Sequence, residues 1–312
     1  MEVLTSFDRG RVEALRRRDE FFWLDLLSPS PDELERLGAT FGLHPAAIED
    51  SREWEQLPKI DGYADHVLLV FFTAERRNNH TSPIEVHCYV SGSWIITVRR
   101  CPTPLDGLHE RIAAEEVTDE DLILYKVLDA LADGWDPVID TLDRRVDEVE
   151  AEVLERPRQE HLPMIYRLKQ EVGDLLRHAH RQAHVLPEAV ETIHALPGLS
   201  RGSREWLRDL SAHADVIASD LNRLTGDLAG LTDTFFNANA NRLNRLATIV
   251  TVGSLFFLIW TLVTGFFGQN FGFLVRHINS PHAFVLYELG GLVVPSLLLA
   301  GILWWKRRDW WG

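Results

Sequence analysis

Two long apolar segments near the C-terminal end interrupt an otherwise polar chain. Residues 246–267 contain no charged side chain, and residues 283–305 contain a single one, Glu288. A helix of about 20 apolar residues spans a hydrocarbon layer of roughly 30 Å. The pattern therefore predicts two transmembrane helices, joined by a loop over residues 268–282 and followed by a short basic tail over residues 306–312.

Upstream of these segments, short apolar runs alternate with helical patterns. The runs FFWLDLL, HVLLVFFTAE, IEVHCYV and WIITVRR are rich in β-branched and aromatic residues, which is typical of strands. Between the first two runs, Ser30 and Pro31 indicate the start of a helix and Gly38 its end. These patterns predict an α/β domain over residues 1–118.

Helical periodicity dominates after this domain. An acidic helix that ends before Pro157 and a second helix from about Pro163 to Pro187 predict a helical hairpin over residues 119–200. Residues 201–245 are predicted to form a stalk helix that continues into the first span, so the fold class is an α+β membrane protein. Apolar residues three and four apart on this stalk form a heptad pattern that packs along other helices. They are Leu207, Leu210, Ala214, Ile217, Leu221, Leu224, Leu228, Leu231 and Phe235.

Charge divides the chain in the same way as hydropathy. Residues 1–245 hold 45 acidic and 28 basic side chains, a net charge of −17. An acidic surface repels nucleic acid and attracts cations, so we expect no nucleic-acid partner. Arg242 and Arg245 precede the first span and three basic residues follow the second, whereas the connecting loop holds only Arg276. The positive-inside rule then predicts that both termini are cytoplasmic.

A second stripe, of small and polar residues, follows the first span. Its members are Asn237, Ala240, Asn244, Ala247, Thr251, Ser254, Leu258, Thr261, Gly265 and Gly268. Residues spaced by three and four share one helix face. Close packing between helices is one interpretation of such a face. A pore-lining face is favoured, because the stripe begins before the span and ends in a polar cluster. Two helices cannot enclose a hydrophilic path, so conduction requires several copies of the chain.

The polar cluster lies in the sequence GFFGQNF, and together with NRLNRLATIV and WWKRRDWW it resembles the CorA family of divalent cation channels. The family signature is Gly-Met-Asn, and here it reads Gly268-Gln269-Asn270. The resemblance covers nearly the whole chain. It implies a homopentameric channel, not an enzyme, in the plasma (inner) membrane of a prokaryote. It also implies that Mg²⁺ is both the transported and the regulatory ion, with no covalently bound cofactor.

The resemblance also implies roles for single pore residues. Asn270 corresponds to the selectivity asparagine, and Gly268 to the glycine that lets the backbone close the ring. A ring of neutral oxygens can hold hydrated Mg²⁺ through its waters, which this ion gives up reluctantly. Asn244 matches a polar ring at the cytoplasmic mouth, and Thr261 a polar position within the pore. Where the family often has methionines, Ala247 and Leu258 stand, and Leu258 with Val250 is predicted to form an apolar collar that closes by dewetting.

Regulatory metal binding is the second implied site. Asp209 and His213 on the stalk resemble the positions at which the family binds regulatory Mg²⁺ between protomers, although Asp209 is equally well interpreted as a surface charge. On the hairpin, His180 and His184 share a helix face and lie near His178. No further ligand stands at a suitable spacing, so these three are interpreted as surface histidines.

The sequence leaves two candidates for the transported ion, Mg²⁺ and Zn²⁺. Gln269 in place of methionine is similar to the ZntB branch of the family, which transports Zn²⁺ and is thought to be coupled to protons. The loop FGFLVRHINSPHAF also lacks the acidic residues that Mg²⁺-transporting members commonly carry. A Zn²⁺ transporter is therefore the alternative, followed by a membrane-tethered metal sensor with a sealed pore.

Overall fold

The computed structural model describes residues 2–77, 80–114, 120–198, 203–269, 272–277 and 280–310. The chain divides into two compact units, Met1–Phe235 and Phe236–Gly312, and one long helix contributes residues to both. The first unit opens with strands and short helices. They are β1 (Glu2–Leu4), α1 (Arg9–Arg17), β2 (Phe22–Leu27), α2 (Pro31–Phe41), α3 (Pro45–Glu53), β3 (Lys59–Gly62), β4 (Val67–Arg77), β5 (His80–Val90), β6 (Trp94–Arg99) and α4 (Leu105–Ala114).

The described strands form one six-stranded mixed sheet in the order β1-β2-β6-β5-β4-β3. β2 pairs in parallel with β1 and β6, and the other neighbours are antiparallel. The four strands predicted from apolar runs are β2, β4, β5 and β6, so the mixed α/β character is confirmed. β1 and β3 were not predicted, because three and four residues are too few to show an alternating pattern.

The helix α2 shows how local sequence sets an element's ends. The Ser30 hydroxyl accepts from the Glu33 amide, and the Glu33 carboxylate accepts from the Ser30 amide, which is a capping box. The predicted end at Gly38 is wrong, since the helix continues to Gly42, whose φ of 70° is left-handed. Gly38 is needed for packing instead, because a Cβ there would lie 3.0 Å from Ile48 Cγ1 of α3.

The acidic segment is two helices where one was predicted, α5 (Glu120–Asp133) and α6 (Asp136–Glu155). The chain bends at Gly134, where a Cβ would lie 2.1 Å from Thr73 Oγ1 of β4. The next helix, α7 (His161–His194), continues past its predicted end at Pro187. Buried side chains on the next two turns explain this, because their packing outweighs a proline cost of about 3 kcal/mol. They are Ala189, Val190 and Ile193.

α7 also closes an open edge of the sheet. Phe72 of β4 lies beyond the four residues with which β3 pairs, so its backbone groups face no neighbouring strand there. The buried Gln182 side chain accepts from Phe72 N over 2.6 Å and donates to Phe72 O over 3.2 Å. The Trp135 indole donates to the same carbonyl over 3.0 Å. These bonds fix the position of α7 on the sheet.

The helix α8 (Ser203–Phe267) carries the predicted stalk. All nine residues of its heptad pattern are buried within the first unit, each with at most 6% of its surface exposed. Ion pairs tie the same helix to its neighbours, Arg223 to Asp143 of α6 at 3.1 Å and Arg204 to Glu191 of α7 at 2.6 Å. The prediction that the stalk packs along other helices is therefore confirmed.

The second unit contains the end of α8, the short helices α9 (Gly272–His277) and α10 (Pro281–Ala283), a π-helical segment (Phe284–Leu289) and α11 (Gly290–Trp310). Two helical stretches are long and apolar enough to cross a membrane, within Arg204–Phe267 and Pro281–Trp305. These stretches contain the two predicted spans, residues 246–267 and 283–305. The region predicted as a plain loop, residues 268–282, includes α9 and the start of α10.

Candidate functional site

The polar stripe predicted on α8 lies on a surface that the second unit leaves uncovered. All eight predicted pore-lining residues are exposed there: Asn244, Ala247, Val250, Thr251, Ser254, Leu258, Thr261 and Gly265. Val250 and Leu258, the predicted collar, expose 67% and 65% of their surface. The stripe is therefore available for contact with other copies of the chain, with lipid or with water, as are apolar residues of this span such as Phe257 and Leu262.

The second span packs on a different face of α8. That face consists of the half-buried residues Val252, Phe256, Ile259, Val263 and Phe267. Next to it, Trp260 Nε1 donates to Ser296 Oγ of α11 over 3.1 Å, and a Cβ on Gly291 of α11 would lie 3.3 Å from Val263 Cγ1. At about 100° per residue, this face and the stripe are centred about 150° apart. α11 thus does not use the stripe for close packing.

The hydroxyl groups of the stripe are satisfied by their own helix. Thr251 Oγ1, Ser254 Oγ and Thr261 Oγ1 each donate to the carbonyl four residues earlier, over 2.8, 2.8 and 2.7 Å. A hydroxyl that donates in this way keeps its acceptor lone pairs free. The stripe therefore presents oxygen acceptors and no acidic group, which suits a cation that keeps its water shell.

The signature follows directly after the last turn of α8. Gly268 N donates to Thr264 O over 2.8 Å, and Gln269 N donates to Phe266 O over 3.3 Å. A Cβ on Gly268 would lie 2.9 Å from Thr264 O, so this tight end requires glycine. Gly268 and Gln269 are both exposed. Asn270, the predicted selectivity residue, lies outside the described residues.

A group of possible metal ligands surrounds the predicted regulatory residues in the first unit. Asp129, Asp133 and His213 each offer one possible ligand atom, and these three atoms lie within 4.8 Å of one another. His213 Nε2 is also 3.8 Å from Asp136 Oδ1. Asp209, one turn before His213, accepts from the Tyr125 hydroxyl over 3.2 Å. The structure therefore brings His213 and Asp209 close to α5, whose two carboxylates the sequence did not single out.

The electrostatics of this cluster favour a cation. Burial, and next the nearby Asp133 carboxylate, raise the pKa of Asp129. Burial, followed by the charges of Asp129 and Asp209, also raises the pKa of Tyr125. Both shifts mean that negative charge is costly here, because the carboxylates repel one another. A divalent ion at Asp129, Asp133 and His213 would remove that cost.

The three histidines of α7 do not form such a cluster. His178 Nδ1 lies 2.9 Å from Asp174 O, and its ring packs on Phe72 with centroids 4.7 Å apart. His180 and His184 are exposed. Within the described part of the chain, none of the three belongs to a group of three or more possible metal ligands. Their interpretation as surface histidines therefore stands for His180 and His184, while His178 is half-buried on the sheet.

Comparisons with known proteins agree with this arrangement. The family described as "CorA-like Mg2+ transporter protein" matches residues 18–308. The Cobalt/magnesium transport protein CorA of Thermotoga maritima is 24% identical over 287 residues, which cover 89% of this chain and 80% of that protein. The Zinc transport protein ZntB of Yersinia enterocolitica is 22% identical over 307 residues, covering 96% and 90%.

The fold agrees with solved structures as well. The complete structure of the CorA magnesium transporter from Methanocaldococcus jannaschii superposes with a TM-score of 0.76 at 19% identity. The match covers 90% of this chain and 89% of that one. At this identity, the likeness shows that the α/β domain, long helix and C-terminal apolar helix share one fold.

Proposed function

The chain belongs to the family of CorA-like Mg²⁺ transporter proteins, and is thus a membrane transporter for divalent metal ions and not an enzyme. From this premise we propose that it forms a homopentameric channel in the plasma (inner) membrane of a prokaryote, with both termini cytoplasmic. Mg²⁺ is the proposed ion, and Co²⁺ and Ni²⁺ are further candidates. No covalently bound cofactor is required.

The exposed stripe on α8 is the observation that carries this proposal. α11 covers the opposite face, so the stripe is free to meet the same stripe of neighbouring copies around one axis. The number five comes from the resemblance to the family. A ring of α8 helices would line the path with the acceptor oxygens of Thr251, Ser254 and Thr261, and would exclude lipid from it.

Transport then needs no covalent chemistry. The membrane potential supplies the driving force, about 4.6 kcal/mol for a divalent ion crossing about 100 mV. A ring at Gly268-Gln269-Asn270 would hold the hydrated ion at the entrance through neutral oxygens. Val250 and Leu258 would form the constriction, which conducts when wetted and closes when it dries.

We assign gating to the group of possible metal ligands that α5 and the stalk share. We expect cytosolic divalent ions to bind Asp209 and His213, supported by Asp129 and Asp133, and to favour the closed channel. A ligand shifts such an equilibrium only as far as it prefers one state. The cluster therefore has to change its geometry, or its contact with a neighbouring protomer, when the channel opens.

A Zn²⁺ transporter of the ZntB type, coupled to protons, is the second candidate function. Two observations favour it. The imidazole of His213 is among the possible ligands, and nitrogen suits Zn²⁺ better than Mg²⁺. The variable signature position is also occupied by Gln269. A membrane-tethered metal sensor with a sealed pore is the third. It predicts metal binding without any flux.

Ion uptake into liposomes holding the purified protein separates these functions. Mg²⁺ and Zn²⁺ are compared in parallel under an imposed voltage and under an imposed pH gradient, with Asn270→Ala as the variant. Voltage-driven Mg²⁺ uptake that Asn270→Ala abolishes is the expected result. Zn²⁺ uptake that follows the pH gradient, without Mg²⁺ uptake, would support the second candidate. No flux of either ion would contradict transport.

A further inference from the structure

The second span carries one carboxylic acid inside its apolar stretch. Glu288 is the only acidic residue between Arg245 and Lys306. Charged side chains within membrane spans are costly and usually serve transport or pairing. The acid needs an explanation that the stripe and the signature on α8 do not provide.

The backbone around Glu288 is unusual too. It lies in Phe284–Leu289, the one π-helical segment in the described part of the chain. Such segments are rare and occur frequently at functional sites. The acid and the irregular backbone coincide at the same turn.

The position of Glu288 relative to α8 follows from two contacts. Gly291 meets Val263, and Ser296 meets Trp260, so the two spans run antiparallel. Glu288 is three residues from Gly291 towards the loop, about 4.5 Å along the axis. The same step from Val263 reaches the last turn of α8, about two residues before Gly268. Glu288 is therefore level with the approach to the signature.

Glu288 also lies on the less exposed side of the second span, and no described residue pairs with its charge. It is half-buried, as are Gly291 and Ser296, which contact α8. Among the described residues, none forms an ion pair or a hydrogen bond with its carboxyl group. The residues of α8 at this level, Thr264 and Phe267, carry no charge. A negative charge in this place attracts whatever mobile cation can approach.

We propose that Glu288 attracts divalent cations to the outer entrance of the channel. The inference rests on the proposed function, in which five copies place five such carboxylates behind the signature ring. In this proposal, Glu288 attracts cations in place of the acidic residues that the loop over residues 268–282 lacks. The carboxylate acts through its field across about one helix diameter, roughly 10 Å, and is not itself a ligand of the ion.

The expected enrichment of divalent ions near Glu288 follows from Coulomb's law. One carboxylate about 10 Å from a divalent ion in water enriches that ion about threefold to fourfold. The isosteric change Glu288→Gln should therefore raise the KM for the ion by at least about threefold, with an unchanged maximal rate. Glu288→Asp keeps the charge and should keep a KM near that of the parent chain.

Salt separates a field from a structural effect. Uptake of Mg²⁺ and Zn²⁺ into liposomes is measured for the parent, Glu288→Gln and Glu288→Asp at about 10 mM and about 1 M monovalent salt, where the screening lengths are about 30 and 3 Å. The difference between the parent and Glu288→Gln should be largest at low salt and should shrink at high salt, where the part of the field that passes through solvent is screened. All three chains should elute at the same oligomeric size.

Two results would overturn the inference alone while the parent still transports. One is an equal KM for the parent and Glu288→Gln at low salt, which would mean that the carboxyl is neutral. The other is a change that persists unaltered at high salt, which would indicate a role in packing. A parent chain that transports neither ion would contradict the proposed function, and this inference with it.

Discussion

The Tyr125 hydroxyl of α5 donates a hydrogen bond to Asp209 Oδ2 of α8 over 3.2 Å. Tyr125 also packs its ring against Trp206, with centroids 5.2 Å apart. These two contacts hold the stalk helix against α5 at the level where the acidic cluster forms. An ion that binds Asp209 would therefore also alter the packing of α5 against the stalk. We expect metal binding to act on α8, and so on the predicted first span, through this contact.

Removing Asp209 should weaken inhibition by internal Mg²⁺. In Asp209→Ala, the internal Mg²⁺ needed to halve uptake should rise about fivefold or more, since couplings between sites are typically of that size. Asp215→Ala is the matched control, because Asp215 is an exposed acid on the same helix. Uptake into liposomes with graded internal Mg²⁺ measures both. Equal sensitivity of Asp209→Ala and the parent would remove the stalk from the gating mechanism.

Asp129 should lower stability at neutral pH when no metal is bound. Its pKa is raised in the folded state, so that state binds more protons than the unfolded one between the two pKa values, and stability falls as pH rises through this window. Asp129→Asn should therefore raise the apparent Tm at pH 7, and the gain should vanish below about pH 4, where Asp129 is protonated in both states.

Added metal provides the control for this prediction. Millimolar Mg²⁺ should raise the apparent Tm of the parent more than that of Asp129→Asn, because a ligand that binds only the folded state stabilises it. Thermal unfolding of the purified protein with and without Mg²⁺ measures the difference. Equal shifts in the two chains would mean that the ion binds elsewhere.

The buried pair Asp25–Arg99 should be a main determinant of the stability of the first unit. Arg99 Nη2 lies 2.7 Å from Asp25 Oδ2, and each residue is only 2% exposed. Arg99→Met removes the arginine that pairs with this buried carboxylate, which costs about 3–5 kcal/mol. Arg100→Met is the control, because Arg100 is exposed and stacks over the Trp54 ring. Denaturant unfolding should show the large loss in Arg99→Met alone.

The Asp25–Arg99 pair also predicts that the first unit loses stability at low pH. Burial alone would raise the pKa of Asp25, but the nearby His109 ring, 3.0 Å away, and the hydrogen bonds from Arg99 and Thr97 outweigh it and keep the pKa lowered. A lowered pKa contributes stability above the unfolded value, and this contribution is lost as pH falls through the folded value. The parent should lose stability in acid more steeply than Asp25→Asn, and parallel pH profiles would contradict this.

Periodic features of single helices were the predictable part of this protein. The stalk pattern and the polar stripe repeat every three and four residues, so the face each occupies follows from helix geometry. Burial confirmed the stalk pattern, and the exposed stripe lies opposite α11, while its role in conduction stays a prediction. Two transmembrane candidates were likewise evident from length and composition.

Features that depend on contacts between distant segments were not predictable. Asp129 and Asp133 join His213 only because α5 packs beside α8, and nothing in their local sequence sets them apart from the eight other acids of residues 129–155. Gly38 and Pro187 resemble helix ends, yet packing on Ile48 and the apolar turns after Pro187 continue both helices. The spacing of four residues places Asp129 and Asp133 on one helix face, but Asp136 and Asp140, among others, have the same spacing.

The proposed channel depends most on the stripe of α8 lining the ion path. Ser254→Cys on the stripe and Ile259→Cys on the face towards α11 are compared in liposomes, before and after a cationic thiol reagent. The parent, with Cys88 and Cys101 in the first unit, is the reference. We predict that the reagent blocks uptake in Ser254→Cys and leaves Ile259→Cys and the parent unchanged. Block of Ile259→Cys with Ser254→Cys unaffected would contradict the account, because the path would then follow the opposite face.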